Sequence, residues 1–160
     1  MKLEVNWGER IGNSKFTVKG DDVKSAVKYL NAKGEWGKFK GNIKYKYWAD
    51  SGNVTKVRLI PSYKIKMPSW PAYRKQPQTV KDDWDSMYKA LLKHENKHKD
   101  IFITGLNKLE KDIEALSAIT VNDLKSMLAK DISAIQKKHD AYDKQTEHGA
   151  ARGVELTIPN

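Results

Sequence analysis

The chain has 160 residues, 39% of them hydrophobic and including five Trp and seven Tyr, which is enough for one core and argues against disorder despite 31% charged residues. It contains no cysteine, so disulfides, thiolate metal sites and cysteine nucleophiles are excluded, and any metal must be held by His and carboxylates. The formal net charge of +10 is carried mostly by Lys spread over the whole length, which reads as a solvated basic surface and not as a specific nucleic-acid module.

We expect a single domain over residues 1–160, with a strand-rich half (1–67), a Pro-rich linker (68–78) and a helical half (79–160). Lys2 to Trp7 and Lys15 to Lys19 are short extended candidates. Asp21 to Lys33 has an acidic start, Val23, Ala26, Val27 and Leu30 at helical spacing, and Gly34 where a C-terminal cap belongs. Asn42 to Trp48 alternates Ile43, Tyr45 and Tyr47 against Lys44 and Lys46. The turn residues Asp50 to Asn53 follow, and Val54 to Met67 resumes near-alternation, so the two stretches predict a hairpin. Pro68, Pro71 and Pro77 punctuate the linker, with Trp70 and Tyr73 available to pack.

Two long helices follow, each opened by an N-cap signature, Thr79 to Asp82 and Thr120 to Asp123. Trp84, Tyr88, Leu91, His98, Phe102, Leu109, Ile113 and Leu116 stripe the first; Leu124, Leu128, Ile132, Ile135, His139 and Tyr142 stripe the second. No apolar run reaches the length of a membrane span, and Met1 leads into Lys-Leu-Glu-Val-Asn-Trp without a signal-peptide stretch.

His94-Glu95-Asn96-Lys97-His98 is an HExxH motif inside the first long helix. At four-residue spacing both imidazoles project from one face and can share a Zn²⁺ at about 2.0–2.1 Å. Such an ion lowers the pKa of its water to about 7, and Glu95 beside it can take the water's proton and pass it to a leaving amine. A chance HExxH is the bland alternative, but an unliganded pair of His and a Glu on an apolar stripe would be costly to bury. Catalytic zinc takes three protein ligands, and the third is sought in the cluster His139 to Gly149 at the end of the antiparallel second helix. There His139 reads equally as a core histidine, and Asp143 as a carboxylate that holds a zinc-bound imidazole or as a solvated residue. Tyr142 is a donor to an oxyanion or simple packing, and Glu147 is a further possible ligand.

The Trp-rich strand region, Met67-Pro68-Ser69-Trp70, Trp84 ahead of the HExxH, and Tyr142-Asp143-Lys144-Gln145-Thr146-Glu147-His148-Gly149 together resemble a bacterial family of predicted secreted zinc-dependent proteases, long classed as a domain of unknown function. The resemblance implies an α+β, zincin-like fold: a mainly antiparallel N-terminal sheet with one helix, then two long antiparallel helices carrying the metal site. It maps His94, His98, Glu95 and His148 onto the active site. It also implies a periplasmic or secreted location, although this chain shows no signal peptide. With Gly149 as helix stop freeing His148 from helical geometry, His148 becomes the expected third zinc ligand, Asp143 its support and Tyr142 an assisting donor.

The expected activity is therefore zinc-dependent hydrolysis of a peptide or protein substrate by a metalloprotease. A non-enzymatic basic module that binds an anionic polymer is the alternative, separated from the first by chelator-sensitive hydrolysis.

Overall fold

The computed structural model describes residues 1–9 and 11–160 and has a mixed α+β architecture. In chain order come β1 (Lys2–Val5), β2 (Ile11–Thr17), α1 (Val23–Lys33), β3 (Lys38–Asp50) and β4 (Asn53–Ser69), then a short 3₁₀ helix (Pro71–Lys75). They are followed by α2 (Gln78–Glu114), α3 (Val121–Thr146) and a 3₁₀ segment (Glu147–Arg152). No helix among the described residues is long and apolar enough to cross a membrane.

Local chemistry accounts for most element ends. Asp22 caps α1 by accepting from Ser25 N–H at 2.8 Å, and Gly34 closes it in the left-handed region at φ 79. Ser51 (φ 49) and Gly52 (φ 83) form the two-residue turn between β3 and β4, the geometry whose twist suits a hairpin. Thr120 caps α3 as expected, accepting from Asp123 N–H at 3.2 Å and donating its hydroxyl to the Asp123 carboxylate. The Thr79 signature does not act as a cap. α2 already begins at Gln78, and the carbonyl of Pro77 accepts from the N–H groups of Val80 and Lys81, because a carbonyl preceding the helix supplies the same acceptor.

Among the described residues the sheet has four strands, in the order β1-β4-β2 with β3 also paired to β4. It is mixed rather than mainly antiparallel: β1 runs parallel to β4, with Lys2 opposite Lys56 and Val5 opposite Leu59. Alternation in a sequence identifies strands and a neighbouring hairpin, but a parallel partner some fifty residues away leaves no local mark. The Pro-rich stretch is partly strand, since β4 continues through Pro68 to Ser69, whose carbonyl accepts from Val18 N–H at 2.8 Å.

The chain divides into two compact units. The first comprises Met1–Ile11, Lys40–Tyr63 and His98–Asp140. Its buried side chains include Val57 and Leu59 from β4, Phe102, Leu106 and Leu109 from α2, and Leu124, Leu128 and Ile135 from α3. Here α2 and α3 are antiparallel, for His98 meets His139 while Gly105, further along α2, faces Ile135, earlier on α3. The second unit comprises Gly12–Phe39, Lys64–Lys97 and Ala141–Asn160. Its core joins Val18, α1's Ala26 and Leu30, β4's Ile65 and Met67, and α2's Trp84, Met87 and Leu91. Trp70 packs on Trp84 with ring centroids 5.1 Å apart and donates its indole N–H to the Gly20 carbonyl at 2.8 Å. Each fully buried Leu or Met contributes about 1.5–3 kcal/mol, so this packing anchors the turn of α2 that leads into the HExxH.

Candidate metal centre

α2 presents His94, Glu95 and His98 inward, and all three are buried, His94 and Glu95 at 4% exposure each. His94 and His98 lie one helical turn apart and so share a face. The Nε2–H of His94 donates to Asp143 Oδ1 at 3.1 Å, and the Tyr142 ring stacks on the imidazole at a centroid distance of 4.9 Å and 21°. Beside His98, one Nδ1–H donates across 2.9 Å between the Nδ1 atoms of His98 and His139.

One ligand atom each from His94, His98 and Asp143 can be chosen so that all lie within 4.8 Å of one another. Adjacent donors on a tetrahedral ion with bonds of about 2.0–2.1 Å stand about 3.3 Å apart, close to the 3.1 Å between His94 and Asp143. Two imidazoles and a carboxylate are a donor set suited to a borderline divalent ion such as zinc. The residues present therefore fit a metal ion.

Asp143 thus enters the donor group that the sequence reading reserved for His148. α3 ends at Thr146, whose hydroxyl donates to the Tyr142 carbonyl at 2.8 Å. Glu147 (φ 50), His148 (φ 55) and Gly149 (φ 95) then turn in the left-handed region, so the helix does stop just before His148. That turn leaves the His148 side chain 72% exposed, with Nδ1 3.9 Å from Asp143 Oδ1. Asp143 remains on the helix, one turn beyond His139, and is directed by it. Glu147 is exposed. Gly149 is required for space as well as conformation, because a Cβ there would stand 2.7 Å from Val154 Cγ2 and 3.3 Å from His94 Cγ.

Glu95 faces β3, where the backbone N–H of Phe39 donates to its carboxylate. Burial, then the negative charge of Asp143 and Glu35, push its carboxyl up to about 8, against the pull of the Phe39 N–H. A divalent cation at the neighbouring donors would act in the opposite sense and favour the carboxylate. The Tyr142 hydroxyl is raised, chiefly by burial, which keeps it protonated and able to donate. Phe39 was not legible as a site residue, because it contributes a backbone amide and its side chain carries no signal.

A family model described as "Bacterial protein of unknown function (DUF922)" matches residues 13–149, most of the chain and all of this cluster. The chain belongs to the DUF922 family. The resemblance read from the motifs is thereby shown at the level of a bacterial family of unknown function, and the DUF922 description names no activity. No curated protein and no solved structure matches the chain.

Proposed function

We propose that this DUF922 protein is a zinc-dependent hydrolase, a metalloprotease of zincin-like fold that cleaves peptide bonds with Glu95 as general base. The observation that carries the reading is the buried group of His94, His98 and Asp143 with the buried Glu95 beside it on the same helix. Bound there, zinc would supply Lewis acidity toward a carbonyl and a water acidified to a pKa of about 7. Glu95, held by the Phe39 N–H, takes a proton from water at its carboxylate and returns it to the leaving amine. Tyr142 holds the His94 ring by stacking and offers its hydroxyl to a developing oxyanion. His148 backs Asp143 from the solvent side. Among the described residues β3 has β4 as its only strand partner, so its other edge can receive an extended peptide by backbone pairing.

The test is Glu95→Gln in zinc-loaded protein assayed on a broad peptide set. Metal content and fold should be retained while turnover falls about 10²–10⁴-fold, the usual contribution of a proton-transfer group. Near-full turnover in that variant would remove Glu95 as base and shift the reading to a structural metal.

A further inference from the structure

β3 is a strand of alternating faces. Phe39, Ile43, Tyr45 and Tyr47 are buried or half-buried, whereas Lys38, Lys40, Asn42, Lys44, Lys46 and Trp48 are exposed. Lys38 has a carboxylate neighbour in Glu35 at 3.5 Å, but among the described residues no carboxylate pairs with Lys40, Lys44 or Lys46. The only acid on the strand is Asp50, its last residue. Such a column of like charge on one strand face is unfavourable alone and is relieved by opposite charge on a neighbouring strand.

The direction of that strand edge is given by Phe39. In an antiparallel ladder the N–H and C=O of one residue point to the same side, and successive residues alternate sides. The Phe39 N–H reaches the Glu95 carboxylate and so points away from β4. By the same period the amides of Gly41, Ile43 and Tyr45 point to that open edge. A peptide pairing there has every second side chain beside Lys40, Lys44 or Lys46.

We propose that the open edge of β3 selects substrate peptides with acidic side chains at alternate positions, through Lys40, Lys44 and Lys46. The selection rests on the hydrolase reading for its purpose, but it is tested by binding alone. Lysines on an edge strand also discourage self-pairing of sheets, and the experiment separates the two roles.

The probes are short end-capped peptides in which Thr alternates with Glu, Gln or Lys, titrated into the zinc-loaded protein and followed by backbone amide signals. The Glu peptide should bind about tenfold more tightly than the Gln peptide at low salt, shift the amides of Gly41, Ile43 and Tyr45, and lose most of that advantage at about 0.5 M salt. Lys44→Glu should abolish the preference, whereas Lys137→Glu, an equal charge change on an exposed position of α3, should preserve it. Equal binding of the Glu and Gln peptides, shifts confined to other elements, or a preference that survives Lys44→Glu would overturn the proposal. Cleavage is scored separately: charge-selective binding without zinc-dependent cleavage of any peptide would count against the hydrolase and leave the selection standing.

Discussion

His98 and His139 show how one hydrogen bond can prepare a ligand. A proton held between their Nδ1 atoms at 2.9 Å, when carried by His98, leaves its Nε2 with a lone pair for a metal. On a metal held by this group, His139 would act through His98 and Asp143 directly. We expect Asp143→Ala to lose the most zinc affinity against a competing chelator, His139→Ala to lose about 10–100-fold, and the exposed His148→Ala to lose least. Were His148→Ala the weakest binder of the three, the third ligand would be His148 and the left-handed turn at its base would have to swing it inward. His139→Gln, which restores a hydrogen-bonding group, should recover part of the loss; a purely packing role for His139 would show no such recovery. The HExxH pair was legible because both ligands sit on one helix at fixed spacing. Asp143 and His148 were not separable in sequence, since four residues and a helix end lie between them and the backbone after Thr146 decides which one faces inward.

At the scale of elements, the approach of α2 and α3 in the first unit depends on Gly105. A Cβ on that residue would stand 2.4 Å from Ile135 Cγ1, closer than packed atoms come. Gly105→Ala should therefore destabilise by about 1–3 kcal/mol despite the better helix propensity of Ala, read as a lower midpoint in denaturant; an unchanged or raised midpoint would show that Ile135 yields freely. β1 is tied to β4 by charge. Glu4 accepts from Lys56 at 2.8 Å, from Arg58 at 2.9 Å and from Lys2 at 3.2 Å, and these hydrogen bonds, Lys56 first, lower its carboxyl from 4.5 to about 2. A depressed carboxyl contributes stability above the unfolded value, and the contribution disappears as pH falls from 4.5 towards about 2. Hydrogen exchange of the β1 amides should thus accelerate across that window in the parent and change less in Glu4→Gln. Identical pH profiles would mean the cluster adds nothing to strand pairing. The hairpin and α1 were readable from turn and cap residues, whereas the β1–β4 pairing joins residues whose local patterns are silent about each other.

For the molecule as a whole, a metal that binds the folded chain and not the unfolded one shifts the folding equilibrium by mass action, by about 4 kcal/mol at a thousandfold excess over Kd. Zinc-replete protein should carry close to one ion per chain, and chelation should lower its melting temperature. Metal-free preparations that melt identically would argue that the cluster is a hydrogen-bonded polar core. The sequence by itself determined the elements with local causes: the α1 caps, the β3–β4 turn, the Thr120 cap, and the spacing that puts His94 and His98 on one face with Glu95 next to them. Helical and strand periods, turn dihedrals and capping act over a few residues, so they are written in consecutive letters. Tertiary structure alone decided which carboxylate meets His94, that a backbone amide of β3 holds Glu95, and that β1 lies parallel to β4. Those contacts join residues tens of positions apart, and their choice depends on close packing and on satisfying buried polar groups, which no local pattern encodes.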